Sequence, residues 1–193
     1  GALSVMVAQP RAATVMGLVS SIKLYAPEFL DGKWLWWLNY GRLQPAHMNA
    51  LIYGWAIQAG LGVAIWLVAR RTGSVLKRGA GTLVTAGVFW NIGVTLGVVG
   101  IFSGAGTSLQ WLEFPVWVWP LLLISFLMIA WRLVSMFLAA PRSEGFQIST
   151  WYVIGACLWF PWIYLTSNLF LNCWALNSPL GAIGAGINGW YVN

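Results

Sequence analysis

The stretch AHMNALIYGWAIQAGLGVAIWLVARR, residues 46–71, decides the fold. As far as Val68 its only strongly polar members are His47, Asn49 and Gln58, and it closes on the pair Arg70 and Arg71. At a rise of about 1.5 Å per residue, some 20 such residues cross the ~30 Å hydrocarbon layer of a bilayer. The two arginines then stop the segment among the headgroups. The rest of the chain has the same character: 193 residues, 60% hydrophobic and 7% charged, with a mean hydropathy of +0.76. A soluble domain carries about 25% charged residues, so an ordinary cytosolic globule, a disordered tail and a disulfide-stapled secreted module are all excluded. The net charge of +6 comes from ten basic residues scattered among fifteen tryptophans. They form no basic stripe for nucleic acid and read instead as charges that set membrane topology.

Working outward from residues 46–71, the hydropathy pattern predicts helices over about 3–24, 46–69, 79–102, 115–139, 148–171 and 180–193. The fold class is all-α: a single transmembrane domain, a polytopic helix bundle of five crossings plus the start of a sixth. Gly93 and Gly97 have the small-xxx-small spacing that lets helix backbones approach closely. Pro115 and Pro120 stand near the start of one helix, and Pro161 should kink another. The first helix, interrupted by Gln9, Pro10 and Arg11, is expected to be irregular. Gly181, Ala185 and Gly189 would lie on the opening turns of the sixth. The chain begins with Gly and ends at Asn193 inside an apolar run, which is expected of a piece of a longer protein. No signal peptide is recognisable, because the residues before Pro10 lack a basic region. Cys157 falls on one predicted helix and Cys173 just past its end, too far apart to bond. Without a Cys-x-x-Cys or Cys-x-x-Cys-His, attached c-type haem and a thiolate metal site are excluded.

Arg70, Arg71, Lys77 and Arg78 share one loop with no acid, so the positive-inside rule makes that loop cytoplasmic. Alternation places the loops near 25–45, 103–114 and 172–179 outside, although Lys33 and Arg42 are there with Glu28 and Asp31. Trp34, Trp36, Trp37, Trp111, Trp117 and Trp174 gather at those outer ends as an aromatic belt would.

His47 is the single histidine, expected in the first turn of its helix near the outer interface. At about 100° per residue, Ala50, Gly54 and Gln58 fall within about 60° of it. The stripe below the imidazole is thus small, small, polar, as a flat macrocycle ligated by His47 requires. The alternative is a packed or interfacial histidine bonded to a neighbouring carbonyl beside a close helix contact.

Tyr40-Gly41-Arg42-Leu43-Gln44-Pro45-Ala46-His47-Met48-Asn49-Ala50-Leu51-Ile52-Tyr53-Gly54 resembles the start of the second helix in subunit I of haem-copper oxidases, specifically the C-class, cbb-type cytochrome c oxidases. Gly17 to Leu24, Trp111-Leu112-Glu113-Phe114-Pro115 and Trp159-Phe160-Pro161-Trp162 resemble other parts of the same subunit. The resemblance covers nearly the whole chain, as an N-terminal fragment. It implies that His47 is an axial ligand of the low-spin haem b, that Arg42 lies at propionate depth, where a guanidinium can pair with a carboxylate, and that Ala50, Gly54 and Glu113 belong to the haem surroundings. Arg42 also reads as an interfacial anchor, and Glu113 as a cap for the following helix. In the resembling family two glutamates three apart lie near the propionates and a calcium ion. Gln110 stands at the first of these positions here, which puts calcium in doubt.

Arg132, inside the cytoplasmic end of its helix, reads mainly as a snorkelling anchor. Gln58, Asn91, Thr95 and Thr166 are polar groups at membrane depth, open to a proton path but explained equally by interhelical hydrogen bonds. In C-class oxidases the sixth helix opens with Trp-Tyr-Gly-His-Asn, whose histidine binds copper. The matching stretch here is Gly189-Trp190-Tyr191-Val192-Asn193, with Asn193 best aligned to the copper ligand, and an amide is a poor copper ligand. The high-spin haem and copper are expected only in the full-length protein, and no catalytic residue is expected in this part. The resemblance implies a terminal oxidase subunit I in a bacterial inner membrane, working in aerobic respiration. It would take electrons from cytochrome c and reduce dioxygen to water with proton translocation, partnered by other oxidase subunits and the lipid bilayer. A nitric oxide reductase relative and a degenerate, non-catalytic membrane subunit are the alternatives. A transporter is disfavoured, because no interrupted helices recur in matching halves.

Overall fold

A computed structural model describes residues 2–74, 79–107, 109–140 and 147–169, with backbone alone for residues 2–9. The described residues are helical and contain no strand. Four helices are long and apolar enough to cross a membrane: Tyr40–Thr72, Ala80–Ser103, Trp119–Leu138 and Ile148–Ser167. A further helix, α1 (Ala2–Tyr25), precedes them. The expected sixth helix, Asn193, Cys173 and Trp174 lie outside the described residues, as do Lys77 and Arg78.

Several boundaries differ from the hydropathy reading, for local reasons. α1 is continuous across Pro10 rather than irregular. A proline deletes one ladder bond, and a helix among other helices tolerates that loss. The next helix starts at Tyr40, six residues before the expected Ala46, because Asn39 caps it: Asn39 Oδ1 accepts the Arg42 N–H at 3.0 Å. Pro45 therefore lies inside the helix. This span runs as α2 (Tyr40–Leu51), a π-helical turn over Ile52–Ala56, and α3 (Ile57–Thr72), which ends at Gly73 in a left-handed conformation. α4 (Ala80–Ser103) follows the expected course. α5 (Trp119–Leu138) begins four residues after Pro115, since Pro115–Val118 is a turn closed by the Val118 N–H on the Pro115 carbonyl. Pro120 then sits in the first helical turn, where a missing N–H costs nothing. α6 (Ile148–Ser167) contains Pro161.

The bundle is organised by two tight pairings, α1 on α2 and α4 on α5, with α6 packing on α5. On α4 the glycines make hollows for the segment entering α5. A Cβ at Gly93 would collide with Leu122, one at Gly97 with Phe114, and one at Gly100 with Pro115. The core between the helices holds Trp90, Val94, Leu122, Phe126, Leu133 and Tyr164. Large apolar side chains face outward, among them Val63, Trp66, Leu138, Leu158 and Trp162. Such exterior residues suit lipid rather than water.

Candidate functional site

His47 sits two turns into α2 rather than in its first turn, and its ring is directed at α1. Nδ1 is 2.8 Å from the Ala13 carbonyl oxygen. A carbonyl only accepts, so Nδ1 is the donor in this contact, and in the neutral ring the lone pair is then on Nε2. Gly17, one turn on from Ala13, provides the room: a Cβ there would be 2.5–3.0 Å from Cε1, Nδ1 and Nε2 of the imidazole. Both readings of the histidine meet in this geometry. It is a packed histidine bonded to a carbonyl beside a close helix contact, and that bond fixes the tautomer a metal ligand needs.

Below His47 the stripe does not continue as a regular helix predicts. Ile57 N–H bonds the Ile52 carbonyl five residues back, and the extra residue in this turn rotates α3 by about 100° relative to an unbroken α-helix. Ala50 is 3% exposed and Gly54 is buried too, so both are already covered by protein. Gln58 turns to α4, where it exchanges hydrogen bonds with Asn91: Asn91 Nδ2 donates to Gln58 Oε1 at 3.2 Å, and Gln58 Nε2 to Asn91 Oδ1 at 3.4 Å. Gln58 also donates to the Gly54 carbonyl at 2.7 Å. The π-helical turn itself is pinned by Trp90, whose indole N–H donates to the Tyr53 carbonyl at 2.8 Å. Thr95 Oγ1 donates to the Asn91 carbonyl, and Thr166 Oγ1 to the Trp162 carbonyl.

The opposite face of α2 holds the loop before α5. Asn49 Nδ2 donates to Glu113 Oε2 at 2.9 Å and to the Pro45 carbonyl at 2.8 Å. Asn49 Oδ1 is buried with no partner among the described residues. The loop is braced by Thr107, whose N–H donates to the Glu113 carbonyl and whose hydroxyl donates to the Leu112 carbonyl. Trp111 takes a positive φ of 68°, and its carbonyl accepts the Tyr53 hydroxyl at 2.9 Å. A recess of about 180 Å³ lies here, lined by Gln44, Pro45, Met48, Gln110, Trp111 and Glu113.

Arg42 is not paired with Glu113. Its guanidinium donates to the Phe102 carbonyl at 2.8 Å, lies 4.7 Å over the Trp36 ring, and packs on Gly104. A cation at the last carbonyls of α4 is where the helix dipole favours one. Sequence reasoning also missed Lys23. It is 3% exposed in the last turn of α1, with Nζ 2.9 Å from Asp31 Oδ1. Ser20, on the same side of α1, donates to Gln44 Oε1 at 2.6 Å. Among the described residues no three of His, Cys, Asp and Glu gather as an ion site. As a donor, the neutral form of His47 fits a haem iron, because the Ala13 contact occupies Nδ1 and leaves Nε2 for the metal.

Compared with known proteins, residues 4–189 match the family model described as Cytochrome C and Quinol oxidase polypeptide I. No curated protein and no solved structure matches.

Proposed function

The chain belongs to the cytochrome c and quinol oxidase polypeptide I family, the haem-copper oxidase subunit I, and from that membership we propose that its α1–α2 pair holds a low-spin haem through His47. The observation that carries the reading is the Nδ1 to Ala13 contact. It holds the ring in one orientation and leaves Nε2 as the ligand atom, the second-shell arrangement common to metal-binding histidines.

The other residues have supporting roles in this proposal. Gly17 lets the imidazole seat against α1. Ala50 and Gly54 are small enough to clear a macrocycle, once the groups that cover them move aside. Arg42 and Glu113 stand at the end of the bundle where propionates would lie. Arg42 already has the Phe102 carbonyl and Glu113 the Asn49 amide, so each is positioned before any ligand arrives. A bound haem would supply one-electron transfer, with His47 to hold it and the charges of Arg42 and Glu113 to tune its potential.

In the complete protein the activity is proposed to be that of a respiratory terminal oxidase in a bacterial inner membrane. Cytochrome c is the proposed donor, dioxygen the acceptor and proton translocation the coupled process, with further subunits as partners. The test is His47→Ala in the complete protein. Loss of the reduced low-spin haem absorption is expected, and an unchanged low-spin haem spectrum would overturn the ligand assignment.

A further inference from the structure

We propose that Lys23 is a further tuning charge of the site at His47, its buried ammonium favouring the reduced iron and raising the midpoint potential. The inference rests on the reading of His47 as a haem ligand and adds a residue that sets the potential there. Two contacts fix the register of α1 against α2. The Ala13 carbonyl and the Gly17 hollow receive the His47 ring, and the Ser20 hydroxyl donates to Gln44 Oε1, one turn before the histidine. Toward its C-terminal end, α1 therefore meets ever earlier residues of α2, and the next turn of the same stripe brings Lys23. Ala13, Ser20 and Lys23 are the buried side chains of α1 among the described residues. One stripe thus carries the carbonyl, the hollow, the hydroxyl and the ammonium. Lys23 is six residues beyond Gly17, about 9 Å at the helical rise.

Its burial is the informative feature. Leu24 and Tyr25, the next two residues, are exposed, and Arg11, the other cation of α1, is exposed as well. A cation serving only as a surface anchor has such positions on the same helix. The Lys23 side chain is instead 2% exposed, while Asp31, its partner at 2.9 Å, is 60% exposed. Solvent screens the carboxylate far more than the ammonium, so within the bundle the field of the pair is positive. Stability does not account for the arrangement, because a buried ion pair gains little over apolar groups of similar volume. The other charges of the site are placed elsewhere. Arg42 is committed to the Phe102 carbonyl at the end of α4, and Glu113 to Asn49 on the opposite face of α2. One-electron reduction of an iron at His47 lowers the charge of the site by one, and a fixed cation favours that state. At a separation of about 10 Å and an effective dielectric constant of about 20, one unit charge changes the reduction equilibrium about tenfold.

The experiment is a spectroelectrochemical titration of the low-spin haem in the complete protein, in one detergent at fixed pH and ionic strength. Lys23→Met should lower the reduction equilibrium about tenfold, about 59 mV for one electron, with the absorption spectrum unchanged. Asp31→Asn should raise it about threefold, a smaller change because that carboxylate is screened. Lys23→Arg, which keeps the charge, should restore most of what Lys23→Met loses. The opposite signs distinguish tuning from structure, since loosened packing of α1 on α2 would move both variants the same way and disturb the spectrum. An unchanged midpoint in Lys23→Met, or shifts of the same sign in Lys23→Met and Asp31→Asn, overturns the proposal. If Lys23→Met does not assemble, Asp31→Asn decides alone, and the absence of an upward shift overturns it. Failure of the His47 reading has a different signature: His47→Ala then leaves the low-spin spectrum in place. Failure of the present proposal alone is a spectrum lost in His47→Ala and a midpoint indifferent to residues 23 and 31.

Discussion

The imidazole of His47 is held by α1, with Nδ1 2.8 Å from the Ala13 carbonyl oxygen and the ring in the hollow left by Gly17. Ala13 and Gly17 are one turn apart on one face of α1, so a single helix face supplies both the hydrogen bond and the space. The orientation of the candidate ligand is therefore a property of the α1–α2 interface and not of α2 alone.

Gly17→Ala tests this relationship. The new Cβ would stand 2.5–3.0 Å from three imidazole atoms, and either the ring or the helix must move. Overpacking of this kind costs about 1–3 kcal/mol. The complete protein carrying Gly17→Ala should lose or shift its low-spin haem spectrum and break the Ala13 contact. A spectrum and thermal midpoint both equal to wild type would show that the ring is not confined by α1.

The π-helical turn makes a second prediction. Trp90 is 1% exposed, and its N–H is bonded to the Tyr53 carbonyl within the turn Ile52–Ala56. Trp90→Phe keeps an aromatic ring against Tyr53 but removes the donor. Leaving a buried carbonyl without it costs about 1–3 kcal/mol. Reversible unfolding in detergent should show that loss, and the amide exchange of residues 52–57 should quicken. Exchange unaltered in that segment, with stability unaltered, would deny Trp90 the pinning role.

How much of this was legible in sequence depends on the range of the interaction. The spans were readable because a bilayer demands long apolar segments, and His47 stood out as the single histidine. The glycines of α4 were readable in spacing, though not in what they receive. Their hollows take Phe114 and Pro115 from the chain before α5 as well as Leu122 within it. The stripe from His47 to Gln58 failed at one place, because no composition signal marks a π-helical turn and one extra residue re-aims everything beyond it. The Asn39 cap went unread because hydropathy bounds the span at Ala46, whereas the first turns of the helix hold Arg42 and Gln44. The Ala13 contact could not be read at all: its acceptor is a backbone carbonyl, which every residue has. Gly17 carried the only hint, as a glycine inside a helical segment.

Gln58 and Asn91 carry the third prediction. They share two hydrogen bonds between α3 and α4, and pairs of this sort in membrane proteins average about 0.6 kcal/mol and reach about 1.7. Gln58→Leu and Asn91→Leu should each destabilise the bundle, and the double variant should cost less than the sum. A double-mutant cycle measured by unfolding in detergent gives the coupling directly. A coupling indistinguishable from zero would leave these groups with a role other than joining the helices.

Lys23 and Asp31 supply the last. The lysine side chain is 2% exposed and its carboxylate partner 60% exposed, so the pair is asymmetric: the cation is committed to the interior and the anion is not. Asp31→Asn keeps the size of the partner but leaves the buried ammonium without its charge. Truncating one member of a buried pair costs about 3–5 kcal/mol, whereas replacing it with apolar groups of similar volume is often neutral. The exposure of Asp31 brings solvent to one side and should hold the loss below that range. Lys23→Met should therefore be tolerated better than Asp31→Asn, and Lys23→Met combined with Asp31→Asn should recover most of what Asp31→Asn alone loses. Thermal unfolding of the three variants in one detergent decides it: if Lys23→Met is the more damaging single change and the combination recovers nothing, the ammonium is held by something other than Asp31.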